Sequence, residues 1–250
     1  MNREEMKARA ERWTALMSQR YDDMITKVQQ ETVFYGEGDV KVPTDRVEGS
    51  TEILLVDLDS VSAIHKFKEG KTAVLNFASY KNPGGGFING MMAQEESLCH
   101  HSFLFNVLQA FSSYYAWNRC NLNGGFYLDR AIYSPGILFD EKTKCDVITC
   151  AAPNASRMLR YNTGEESKNE FCLLKRVLYV LNIAASQGVD TLILGAYGCG
   201  VFKQNPEVVA WAFNFYLQKY FKGVFKRVVF AIPDKEGKNY KAFEKEFNNI

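Results

Sequence analysis

No apolar run of the 250-residue sequence approaches the length of a bilayer span. The opening residues, Met1-Asn-Arg-Glu-Glu-Met-Lys, lack the apolar core of a secretory signal. Net charge is nearly absent: 30 Lys and Arg against 29 Asp and Glu leave +1, removing any general pull toward nucleic acid or an anionic surface. Histidine is scarce, and His65, His100 and His101 make no ligand set with evident metal spacing. The six cysteines (Cys99, Cys120, Cys145, Cys150, Cys172 and Cys199) contain no Cys-x-x-Cys pair, which argues against a zinc site and against a disulfide framework. Cys145, Cys150 and Cys199 lie in or beside apolar strands and read as small core residues. A reducing compartment is expected, the cytoplasm or, in a eukaryote, also the nucleus. No Gly-Lys-Ser/Thr follows a glycine cluster and no Gly-x-Gly-x-x-Gly occurs, so neither a Walker loop nor a dinucleotide fingerprint is present. Repeats and low-complexity tracts are also missing.

What remains is a sequence with 46% hydrophobic residues, ample for one core. Residues 2–33 read as a moderately amphipathic helix, and Phe34 through Ser50 as a polar connector carrying Pro43. The chain then alternates. Strands are expected at Thr51–Leu58, Thr72–Ala78, Ala131–Phe139 (interrupted by Pro135-Gly136, hence an edge or a bulge), Cys145–Ala152, Thr191–Ala196 and Arg227–Ile232. Helices are expected at Ser60–Lys68 with Asp57 or Asp59 as cap, Gln94–Ala116, Phe171–Gln187 closed by Gly188, a segment opened by Pro206, and Lys238–Phe247. Ser156–Lys168 reads as a polar loop. Alternation of this kind implies an α/β sandwich with helices on both faces, and periodicity alone suggests a largely parallel sheet.

Two stretches carry the chemistry. In the first, an apolar strand ends in Asn76-Phe-Ala-Ser-Tyr-Lys-Asn-Pro-Gly84-Gly85-Gly86, and Gln94-Glu95-Glu96-Ser97 opens the next helical segment. Glycine removes side chains where the chain leaves the strand, and the carboxyl ends of strands are where open α/β sheets bind ligands. The second is Gly195-Ala196-Tyr197-Gly198-Cys199-Gly200-Val201-Phe202, again glycine-bearing and again at the end of a strand. Backbone N–H groups of two such loops can converge on an anion, and a diphosphate is the natural guest.

Three glycines followed after a short gap by Gln94-Glu95-Glu96 resemble the signature of poly(ADP-ribose) glycohydrolases, within the macrodomain superfamily. The surrounding text is similar to the compact microbial-type enzymes. The likeness recurs at Tyr133-Ser-Pro-Gly, at Asp146-Val-Ile-Thr-Cys-Ala-Ala-Pro-Asn and in the Gly195 loop, and covers about Thr51 to Asp234. It implies a macrodomain-like three-layer α/β/α sandwich with a mixed sheet of about six strands. On this reading residues 1–50 are a helical extension and connector, and 51–250 the catalytic domain. It also implies hydrolysis of ribose–ribose O-glycosidic bonds, from the chain end, without metal or cofactor. Glu96 takes the acid–base role and Glu95 the ribose hydroxyls, with Gly195–Phe202 embracing the diphosphate and Phe202 packing on the distal ribose. Asn76, Ser79, Asn82, Gly84–Gly86 and Gln94 complete the expected contacts. Ser79 stands where macrodomains often carry a ribose-binding Asn, a role Asn82 or Glu95 could fill. ADP-ribose, its polymer or ADP-ribosylated proteins are the expected partners, and the chain is expected to be a monomer. Two other readings stay open: a mono-ADP-ribosyl hydrolase, and a binding module that reads ADP-ribose without cleaving it. The retained acidic pair argues against the last.

Overall fold

The computed structural model describes residues 2–43, 49–161 and 163–248, so residues 44–48 of the expected connector fall outside the described residues. The elements in order are α1 (Arg3–Glu31), β1 (Val33–Tyr35), β2 (Glu52–Val56), α2 (Ser60–Phe67), β3 (Thr72–Phe77), α3 (Gln94–His100), α4 (Leu104–Leu108) and α5 (Ser112–Cys120). They continue with β4 (Ala131–Phe139), β5 (Thr143–Cys150), α6 (Ala155–Tyr161), α7 (Glu166–Ser186), β6 (Thr191–Leu194), α8 (Pro206–Lys219), β7 (Arg227–Ala231) and α9 (Lys238–Phe247).

Among the described residues seven strands form one sheet in the order β1-β4-β5-β3-β6-β7-β2. Pairings of β5, β3, β6, β7 and β2 are parallel, whereas β4 runs antiparallel to both β5 and β1. One reversed strand therefore makes the sheet mixed. The seventh strand is β1, at the junction of the segments read as helix (2–33) and loop (34–50). Three residues are too few to show an alternating pattern. Phe34 on β1 packs edge-on against Phe111, ring centroids 4.9 Å apart.

Alternation along the strands divides the core between two faces. Leu75, Tyr133, Ile148, Leu192 and Phe230 face α7, α8 and α9, while Val74, Ile132, Val147, Ile193 and Val229 face α1 to α5. Ala10, Met17, Ile25 and Val28 of α1 belong to that second core. Asn2 and Glu5 cap α1 reciprocally, each side chain taking the other's backbone N–H at 2.9 Å.

Three local features explain where sequence periodicity misleads. The helix expected over Gln94–Ala116 is broken into α3, α4 and α5. Ser102 Oγ donates to Leu98 O at 2.7 Å and accepts from Leu104 N–H at 3.1 Å, diverting the backbone from a continuous ladder. The polar stretch after Pro153 contains α6, because Asn154 Oδ1 accepts from Ser156 N–H at 3.1 Å and Ser156 Oγ at 2.6 Å. At Pro135-Gly136 the register of β4 against β5 shifts, the bulge alternative of the sequence reading. Asp146 secures it, accepting from Gly136 N–H at 2.8 Å and from the Tyr133 hydroxyl. Asp59 proves to be the cap of α2, accepting from Val61 and Ser62 N–H.

Candidate active site

The carboxyl ends of β3, β5, β6 and β7 open onto a cleft of about 460 Å³. Its walls come from the start of α2 (Asp59, Ser60), the start of α3 (Ala93, Gln94, Ser97) and the chain after β7 (Ile232, Pro233, Asn239). Phe77, Ala152 and the loop Ala196–Phe202 close it, with Cys199 and Lys203 outside the lining. The pairing of β3 with β6 ends at Val74, while its pairing with β5 continues to Phe77. Gln94 occupies the gap that this divergence leaves. Its amide nitrogen donates to Leu75 O at 2.8 Å and Ser60 Oγ at 3.1 Å, and its oxygen accepts from Phe77 N–H at 2.8 Å. Gln94 therefore ties the helix to the strand end.

Glu95 and Glu96 are almost wholly buried, at 3% and 6% exposure. Glu95 turns toward β3, taking Ser79 N–H at 2.6 Å and the Asn76 amide at 3.3 Å, and Asn76 in turn reaches Thr149 at 3.3 Å. Burial pushes the Glu95 carboxyl up to about 8; the Glu96 charge adds to this, and the bond from Ser79 opposes it. Glu96 is the third residue of α3 and reaches back to Ala93 N–H at 2.9 Å, as glutamates at that position do. Its other oxygen accepts from Gly86 N–H at 2.7 Å. Neither carboxylate is among the cleft-lining residues, whereas Gln94 and Ser97 on either side of the pair are.

Both carboxylates rest on Gly85. Its φ is +61°, and a Cβ there would lie 2.5 Å from Glu96 Oε1 and 2.8 Å from Glu95 Oε2. The reason for glycine at this point is the approach of the acidic pair, where the sequence reading had put a diphosphate. Gly84 is filled by Phe105 and Cys99, and Gly86 by Met91. In the second loop Gly195 is closed by Ala231 O and Phe77, and Gly198 by Ala152 and Gln204, whereas Gly200 has nothing within 4 Å.

The other expected site residues divide between wall and support. Ser79 Oγ accepts from Lys81 and Asn82 N–H at 3.3 and 3.2 Å, shaping the turn, and the Asn82 side chain is exposed. Tyr197 is buried, its hydroxyl donating to Cys150 O at 3.0 Å, so its side chain serves the core beneath the cleft. Burial pushes the Cys199 thiol up to about 12. Phe202 lines the cleft and meets Tyr127 edge-on at 6.0 Å, with Tyr127 stacked on Tyr80 at 4.3 Å. Arg176, fully buried, pairs with Asp129 at 2.6 Å and donates to Ala151 O, holding the turn after β5. The histidines lie elsewhere: His65 and His101 both bond to Asp140 at 2.8 Å, and burial pushes His100 down to about 4. Sequence reasoning missed Asp59, Ile232, Pro233 and Asn239 as cleft walls. They come from separated segments, and only the position of each at a strand end or helix start hinted at them.

A macrodomain-like sandwich with paired carboxyl groups over a glycine, beside a cleft at the strand ends, defines an ADP-ribose-type glycosidase. Residues 4–141 match the family described as "Microbial-type PARG, catalytic domain", and the chain belongs to that family. It is similar to the poly(ADP-ribose) glycohydrolase of Thermomonospora curvata, with 30% identity and a TM-score of 0.86 over 98% of this chain and 100% of that one. A second structure of that enzyme, bound to the inhibitor ADP-HPD, is 29% identical with a TM-score of 0.84 over the same shares. The glycohydrolase of Deinococcus radiodurans in complex with ADP-ribose is 30% identical, with a TM-score of 0.79 over 90% of this chain and 97% of that one. No curated protein sequence matches the chain.

Proposed function

We propose that this chain, a poly(ADP-ribose) glycohydrolase by family, removes ADP-ribose units from the polymer end, with Glu96 as the acid and base. The observation that carries the reading is the buried carboxyl pair seated on Gly85 and flanked in the chain by Gln94 and Ser97 of the cleft lining. Binding ADP-ribose needs no proton donor beside it, so the pair argues against a binding module. In the first step the ribose C1–O bond breaks and the Glu96 proton passes to the leaving oxygen. Water then adds hydroxide to the oxocarbenium-like C1, and its remaining proton returns to the carboxylate. Glu95 holds the ribose hydroxyls, the 196–202 loop receives the diphosphate, and Phe202 packs on the distal ribose.

One observation favours a second assignment. The Glu95 carboxyl, raised to about 8, keeps its proton at neutral pH and could itself be the donor, with Glu96 as the anchored partner. Kinetics of the two glutamine variants separate these assignments. Labelled polymer and a mono-ADP-ribosylated acceptor, each incubated with the protein, test the substrate class. Release of ADP-ribose from polymer is expected, and cleavage of the acceptor alone would make the chain a mono-ADP-ribosyl hydrolase. We place the protein in the reducing cytoplasm, a reading supported by its six free thiols, and take it to act as a monomer.

A further inference from the structure

Beyond the carboxylates the glycine-rich loop presents apolar side chains that the core does not use. Ile88, Met91 and Met92 are 44%, 48% and 59% exposed. None of residues 85–92 lines the cleft, and neither do Glu95 and Glu96, so these side chains share with the acidic pair a position outside the lining that Ala93, Gln94 and Ser97 provide. Their closeness to Glu96 follows from Gly86. A Cβ built there would be 2.3 Å from Met91 Cγ and 3.5 Å from Glu96 Oε1, and Gly86 N–H donates to that same oxygen at 2.7 Å.

The loop is held firmly. Gly86 O accepts from Asn89 and Met91 N–H at 2.9 and 3.1 Å. Arg3 Nε of α1 donates to Asn89 O at 3.0 Å, and Gly90 packs so closely on Arg3 O that a Cβ would sit 2.3 Å from it. The N-terminal helix thus fixes a loop that holds three apolar side chains facing water, of which Met91 stands beside Glu96.

A glycosidic acid must touch the leaving oxygen, so the first group of the departing unit lies against whatever surrounds that acid. Met91 lies beside Glu96, so an alcohol departing from that acid has Met91 and the exposed side chains of its loop as neighbours. In the polymer that alcohol is the adenosine ribose of the next unit, whose base is flat and apolar. We propose that Ile88, Met91 and Met92 form a leaving-group subsite that receives this adenine, making the loop a determinant of specificity for polymer. The inference rests on the polymer reading above. Thioethers make favourable contacts with aromatic faces, and their flexible chains adapt to a base at successive positions along a polymer.

The test compares kcat/KM on ADP-ribose oligomers with kcat/KM on a simple alkyl glycoside of ADP-ribose, whose leaving group has no base. The variants are Met91→Ser/Met92→Ser and, to preserve packing on Gly86, Met91→Leu/Met92→Leu. The oligomer-to-alkyl ratio is expected to fall about tenfold in the serine variant, the scale of two lost thioether–ring contacts. The leucine variant should keep most of the ratio. An unchanged ratio, or equal loss on both substrates, would overturn the proposal while leaving the activity assignment intact. Discrimination shown for a mono-ADP-ribosylated peptide and not for oligomers would replace adenine by a peptide occupant and also overturn it. Wild type that cleaves the alkyl glycoside but no oligomer would overturn the polymer reading, and the subsite with it.

Discussion

The two glycine loops look alike in sequence and do different work in the fold. In the 84–90 loop every glycine is pressed against protein: Gly84 by Phe105, Gly85 by the two carboxylates, Gly86 by Met91 and Gly90 by Arg3 O. In the 195–200 loop Gly195 and Gly198 are pressed in the same way, but Gly200 is open, and Val201 beside it is 70% exposed. The first loop is a mould for the acidic pair, and the second presents backbone to the cleft. Glycine in a ligand-side loop is thus weak evidence for ligand contact. Its neighbour decides what the missing side chain makes room for.

Breaking the mould should have the largest effect. Gly85→Ala forces a Cβ between Glu95 and Glu96 at a left-handed backbone position, and displacing catalytic groups by an ångström costs on the order of 10²-fold in rate. Turnover on polymer should fall at least that far while the variant remains folded by circular dichroism. Near-normal turnover would detach the carboxyl pair from this loop.

The next effect is one of stability and has a defined sign. Burial raises the Glu95 carboxyl from 4.5 to about 8, so the folded protein holds a proton that the unfolded chain releases. Stability from this group is full below about pH 4.5 and is lost as pH rises through about 8. Glu95→Gln cannot ionise. Its unfolding free energy should match wild type near pH 5 and exceed it increasingly toward pH 8, by a few kcal/mol at about 1.4 kcal/mol per unit, with the melting temperature rising accordingly. A difference independent of pH would contradict the burial of a neutral carboxyl.

The smallest effect belongs to the open loop. Gly200→Ala meets nothing within 4 Å, so stability should stay within about 0.5 kcal/mol of wild type. The added methyl projects beside the cleft, and ADP-ribose affinity should drop severalfold in a calorimetric titration. A strongly destabilised variant with normal affinity would place Gly200 in the same class as Gly85.

The sequence shows the alternation of strands and helices, a cap at Asp57 or Asp59, an edge or a bulge at Pro135-Gly136 and the position of the acidic pair, because each follows from local periodicity or turn chemistry. The structure decides for Asp59 and the bulge. The breaks at Ser102 and the start of α6 at Asn154 were hidden by single side-chain hydrogen bonds that interrupt or begin a helix without altering composition. The strand β1 was hidden by its length. The place of Gln94 beside the pair suggests a ligand contact, and only the splaying of β3 from β6 shows which backbone groups its amide satisfies. The far wall of the cleft joins Asp59 to Pro233 and Asn239, a meeting that topology alone creates. The exposed methionines were legible as residues and silent as a site until Gly86 placed Met91 beside Glu96.

The central claim is that one member of the pair moves the proton and that it is Glu96. Its most direct test is turnover of polymer as a function of pH for Glu96→Gln and Glu95→Gln, with ADP-ribose affinity measured in parallel. Glu96→Gln should bind ADP-ribose like wild type and lose about 10²–10⁴-fold in turnover at every pH, the usual contribution of acid–base catalysis. Glu95→Gln should keep a measurable part of its turnover, since a carboxamide still hydrogen-bonds the ribose. Near-normal turnover in Glu96→Gln together with an inactive Glu95→Gln would contradict the account and transfer the proton to the raised carboxyl of Glu95.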